Sequence, residues 1–127
     1  TRPDRANTTI MGSSMGGLIS MYALCEYPAI FGAAACLSTH WPAVEGVIAP
    51  YLQEYLPDPA SHRIYLDSDT ETLDALYRPG QLLVDTLMSD SGYMNSVNWM
   101  TRDFPGTRHF EADWAARVHI PLKFMLS

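Results

Sequence analysis

Apolar residues along this chain fall in short blocks that switch repeatedly between two periods. Thr8-Thr9-Ile10-Met11 is a β-favouring run that stops at Gly12, after which Leu18, Met21, Tyr22 and Cys25 recur at helical spacing. The pattern predicts a strand over 8–11 and a helix over 15–26, ended by Pro28. Phe31–Leu37 (FGAAACL) is continuously apolar, as a strand covered on both faces must be. A less regular helical pattern over 43–55 contains Pro50, which should disturb it. Arg63–Leu66 predicts another buried strand, opening into the acidic loop Asp67-Ser68-Asp69-Thr70-Glu71. Leu83 with Leu87, and Val84 with Met88, predict a helix over 79–89. A last strand is expected over 97–104, turned by Pro105-Gly106, and a last helix over 111–126, bent at Pro121. Trp114, Val118 and Leu122 share one face of that helix. Strands alternating with helices imply an α/β fold: a mainly parallel sheet with helices on both faces.

Composition narrows the classes of function. The chain has 127 residues, 47% hydrophobic and 17% charged, enough to bury a core. Its net charge of −6 lacks the basic footprint that a nucleic-acid or anionic-membrane partner needs. No apolar run approaches the roughly 20 residues of a spanning helix. The first residues, Thr1-Arg2-Pro3-Asp4-Arg5, show no basic-then-apolar leader pattern. Cys25 and Cys36 lack redox or metal spacing and read as two buried, reduced thiols.

The candidate chemistry centres on Gly12-Ser13-Ser14-Met15-Gly16, a G-x-S-x-G run between a predicted strand and a predicted helix. Such a turn strains the serine backbone and projects its Oγ above the sheet. Side chains at Gly12 and Gly16 should collide with neighbouring backbone. The helix that starts here aims its free N–H groups at the serine, the Met15 N–H first. A serine nucleophile needs a base, and the base needs an acid to fix its tautomer.

Of the four histidines, His109 follows the last strand, at the sheet edge where such sites form. His40 also follows a strand and, with Trp41, is expected to line the substrate pocket. His62 precedes a strand, at the opposite edge, and His119 lies within a helix. Asp67, Asp69, Glu71 and Asp74 all compete for the acid, and the residues alone do not choose among them. A calcium loop would need Gly at position 72 and Glu at 78, where this chain has Thr72 and Arg78. No zinc spacing, phosphate loop or dinucleotide fingerprint is present.

Ile10–Ser20, Tyr27-Pro28, Phe31-Gly32, Leu37–Trp41, Tyr65–Asp67, Leu73–Tyr77 and Pro105–Glu111, with Trp114 and Arg117, resemble an esterase family of α/β hydrolases. That family includes enterochelin esterase, S-formylglutathione hydrolase, feruloyl esterases and the mycolyltransferases. The resemblance implies an α/β-hydrolase three-layer sandwich, with Ser14 as nucleophile, His109 as base and no cofactor. It favours Asp74 as the acid, then Glu71, and Asp69 departs from its pattern. It also implies further strands before the nucleophile and a second oxyanion-hole donor beside Met15. The chain is therefore expected to be the C-terminal half of one hydrolase domain, completed by an N-terminal half or by self-association. The implied activity is hydrolysis of a small carboxylic ester. Acyl transfer by the same residues, and a non-catalytic truncated scaffold, are the competing expectations.

Overall fold

The computed structural model describes residues 1–127. Its sheet has four strands in chain order, β1 (Thr9–Ser13), β2 (Ala33–Leu37), β3 (Arg63–Asp69) and β4 (Trp99–Phe104), each parallel to the next. Parallel neighbours cannot be joined by a tight hairpin, so each connection crosses over through helix. The register sets Ser13 beside Leu37 and Leu37 beside Asp67. The segments that leave these three strands, beginning at Ser14, Ser38 and the end of β3, therefore emerge along one edge of the sheet.

Six helical segments cover the two faces: α1 (Met15–Glu26), α2 (Ala43–Gly46), α3 (Ile48–Tyr55), α4 (Asp74–Asp90), α5 (Glu111–Arg117) and α6 (His119–Leu126). Strand residues alternate between faces. Ala34, Cys36, Ile64, Leu66 and Trp99 pack on Met21 and Leu24 of α1, Leu52 of α3, and Val84 and Met88 of α4. Ala33, Ala35, Leu37 and Tyr65 face the other way, onto Met125, with Trp114 and Phe124 beside them. Each fully buried Leu, Ile or Met in these layers contributes about 1.5–3 kcal/mol of transfer free energy. Cys25 and Cys36 are buried and unpaired.

Several elements differ from the sequence expectation. β1 runs on through Gly12 to Ser13, and β3 continues through Asp67, Ser68 and Asp69, so three residues expected in an acidic loop are buried strand. The helix expected over 43–55 is broken ahead of Pro50, where Val44, Glu45 and Gly46 hold φ of 49°, 57° and 73°. The last helix divides at Val118 rather than at Pro121. Both breaks have one cause: a proline ring collides with the helical carbonyl four residues back, here Gly46 and Arg117. Helix α4 begins at Asp74, five residues earlier than expected, and carries Pro79 inside it.

Candidate active site

Ser14 links β1 to α1 with φ 57° and ψ −119°, a conformation that L-residues rarely adopt. Backbone bonds hold it there. Its N–H donates to the Leu37 carbonyl at 2.8 Å, and its own carbonyl accepts from Gly17, Leu18 and His40 at 3.1, 3.2 and 3.3 Å. A Cβ on Gly12 would lie 2.4 Å from the Gly16 carbonyl oxygen, so that position must be glycine. Gly16 itself faces open space, contrary to expectation. The second close approach is at Gly17, whose Cβ would meet Thr39 Oγ1 at 2.5 Å. The reason is direction: residue 17 turns toward the end of β2, and residue 16 turns away from the sheet. Met15 is the first residue of α1, so its N–H has no intrahelical acceptor.

His109 reaches Ser14 from the loop after β4. Its Nε2 lies 2.9 Å from Ser14 Oγ, and its Nδ1 bonds Asp74 Oδ1 at the start of α4. With the Nδ1 proton donated to a carboxylate, Nε2 is left as an acceptor for the serine hydroxyl. The other Asp74 oxygen accepts the Asp69 N–H at 2.7 Å. The imidazole is also framed edge-on by Trp114 and Tyr77, with ring centroids 5.0 and 5.5 Å away. The loops carrying the two partners are laced together: the Thr107 carbonyl accepts from Thr70 and Glu71, and the His109 N–H donates to Thr72 Oγ1.

The remaining candidates are placed elsewhere. His40 is not bonded to the serine hydroxyl; its Nδ1 pairs with the Tyr77 hydroxyl at 2.7 Å, beside the site. Trp41 is buried, donates its indole N–H to Gln81, and lines an apolar cleft of about 350 Å³ with Leu76, Gly80 and Leu83. His62 is buried at the opposite edge, with Nε2 2.9 Å from the Pro28 carbonyl oxygen, and His119 is exposed on α6. Glu71 is exposed.

Asp67 and Asp69 both face the guanidinium of Arg117. Arg117 Nε and Nη2 donate to Asp67 at 3.1 and 2.9 Å, and Nη1 donates to Asp69. Burial works to raise the Asp69 carboxyl, but hydrogen bonds from Arg117, Ser38 and Thr107 outweigh it and hold it below the usual carboxylate range. For Asp67 burial prevails over the Arg117 bonds, and its carboxyl is raised. Burial would lower Arg117, yet its two carboxylate partners hold it above the ordinary arginine value. The part played by Arg117 was not legible as chemistry; two carboxylates on one buried strand are the signal that calls for a buried cation. The ligand atoms of Asp69, Asp74 and His109 lie within 4.8 Å of one another, but Arg117 already holds the first, and the other two hold each other.

In three dimensions the chain is similar to the enterobactin esterase of Shigella flexneri. The TM-score is 0.77 at 22% identity, over 98% of this chain and 32% of that one. A ferulic acid esterase gives a TM-score of 0.77 at 18% identity, over 96% of this chain and 51% of that one. The S-formylglutathione hydrolase of Staphylococcus aureus gives 0.73 at 16% identity, over 99% and 53%. This chain thus spans about a third to a half of those proteins, and the likenesses establish an α/β-hydrolase fold. No curated protein matches the chain in sequence. The family described as “Putative esterase” matches residues 1–122, and the chain belongs to that family.

Proposed function

We propose that this chain carries the nucleophile, base and acid of a serine esterase that hydrolyses a small carboxylic ester or thioester. The observation that carries the reading is the continuous run of hydrogen bonds from Ser14 Oγ through His109 to Asp74. Ser14 attacks the ester carbonyl as His109 Nε2 takes its proton. Asp74 fixes the imidazole tautomer and stabilises its charged form. The Met15 N–H donates to the developing oxyanion, and His109 returns the proton to the departing alcohol or thiol. Water, activated by the same imidazole, then releases the acid from the acyl-enzyme. No metal or organic cofactor enters these steps. His40 stands beside the site on the Tyr77 hydroxyl, whereas Trp41, expected to line the substrate pocket, is buried on Gln81 in a cleft that includes neither Ser14 nor His109.

One backbone donor is a sparse oxyanion hole, and removing a single donor costs about 3 kcal/mol of transition-state stabilisation. We therefore place the second donor on a segment that pairs with the free edge of β1, from an N-terminal half or a second copy. Met11, on that edge strand, is exposed.

A fluorophosphonate probe tests the reading. A single adduct on Ser14, abolished in Ser14→Ala without loss of fold, is expected. An unlabelled but folded protein would overturn the proposal and favour a non-catalytic scaffold. Adding an alcohol acceptor during turnover separates hydrolysis from acyl transfer by its products.

A further inference from the structure

Asp69 is the anomaly of the site. It is a second carboxylate, 3% exposed, beside the Asp74–His109 pair, with a ligand oxygen inside the same 4.8 Å cluster. Left ionised and uncompensated, it would act on the imidazole much as Asp74 does and oppose proton release from it. Arg117, from the end of α5, is the group that answers this charge. Its guanidinium is 4% exposed and reaches Asp67 and Asp69 on β3, Ser38 Oγ after β2 (3.0 Å) and Thr107 Oγ1 in the His109 loop (3.5 Å). Trp114, one helical turn earlier, bonds Ser38 Oγ and Asp69 with its indole N–H and packs edge-on against His109. The residue that Arg117 grips is also the one whose backbone N–H holds Asp74 Oδ2.

We propose that Arg117 is a positioning residue for the serine esterase site: it is the one cation set against the Asp67–Asp69 pair, and it fixes the end of β3 that orients Asp74. The inference rests on the esterase reading for its catalytic meaning, but not for its electrostatics.

The other ionisable neighbours of His109 do not take over this task. Tyr77, from α4, is a phenol whose ionisation burial opposes, and its hydroxyl is paired with His40. Arg108, from the same loop, is paired with Asp113 of α5. Glu71 is exposed to water. If Arg117 is replaced by a neutral residue, Ser38, Thr107 and Trp114 still donate to Asp69, and the buried pair loses its one cation.

The test is the pH dependence of Ser14 labelling by a fluorophosphonate, measured with the protein folded throughout. In Arg117→Gln the acid limb of the profile is expected to move up by about one pH unit, a roughly tenfold slower labelling at a fixed pH on that limb. Asp69→Asn should move it the opposite way, and Asp69→Asn combined with Arg117→Gln should return it near its original position. Arg117→Lys, which keeps the charge, should rescue the profile even if stability falls. Unchanged profiles in all four variants, with losses confined to stability, would overturn the proposal and leave Arg117 a structural residue. NMR titration of the His109 ring in the same variants keeps the two readings apart. Absence of labelling with these ring shifts intact removes the esterase reading alone, and labelling with unmoved ring titrations removes the Arg117 inference alone.

Discussion

The two glycines that flank Ser14 in the sequence, Gly12 and Gly16, differ entirely in what they face. Gly12 faces the Gly16 carbonyl oxygen, 2.4 Å from where a Cβ would sit, and that oxygen cannot move without unwinding the first turn of α1. Gly12→Ala should therefore cost about 1–3 kcal/mol of stability, as overpacking does, and slow Ser14 labelling, whereas Gly16→Ala should do neither. Thermal unfolding with labelling on the same samples decides this. Asp74→Asn should preserve the fold and lower turnover by about 10⁴-fold, because it presents the wrong tautomer to Ser14. At this scale the serine and His109 were legible in the sequence, since each sits where a strand gives way to a turn. The partner of His109 was not legible from residue types, which offered four acids. The fold sorts them by direction: Asp67 and Asp69 turn to Arg117, Glu71 turns to water, and only Asp74 turns to the imidazole.

Helix α4 carries Asp74 at its first turn and a packing constraint further along. Glycine inside a helix is normally about 1 kcal/mol worse than alanine. At Gly80 the sign should reverse, because an added Cβ would meet Trp41 Cβ at 2.6 Å. Gly80→Ala is expected to lower the urea midpoint, and a raised midpoint would show that Trp41 yields easily. Periodicity revealed α1 to the residue, because no proline interrupts it. It started α4 at Pro79, which lies inside that helix, and it misplaced the breaks at α2–α3 and α5–α6 because it treats a proline as an event at its own position. The steric consequence lands four residues earlier. The length of β3 was hidden for another reason: Asp67 and Asp69 read as solvent-facing until Arg117, 50 and 48 positions away, is brought against them.

The whole molecule responds to acid through that same buried pair. Asp69 has its carboxyl lowered in the fold, so its stabilisation is complete above the unfolded value of about 3.9 and is lost as pH falls through the lower, folded value. Stability should therefore fall more steeply on acidification in the wild-type protein than in Asp69→Asn, as urea midpoints from about pH 6 downward would measure. The thiols report on global opening. Burial, with help from Glu26, pushes Cys25 up to about 12, and burial raises Cys36 as well. Neither should react with a neutral-pH thiol reagent until denaturant is added. The α/β layering of the molecule was legible from the alternation of elements; the strand order was not, because periodicity does not say which strands are neighbours.

That order has a consequence for biosynthesis. Each strand pairs with the one made just before it, so the sheet can be laid down progressively as the chain leaves the ribosome. Ser14 emerges 95 residues ahead of His109, the histidine bonded to it, which follows β4. Until β4 and the loop after it are made, the Ser14 hydroxyl has no imidazole beside it. A chain released before His109 is made thus lacks the one imidazole that reaches the Ser14 hydroxyl.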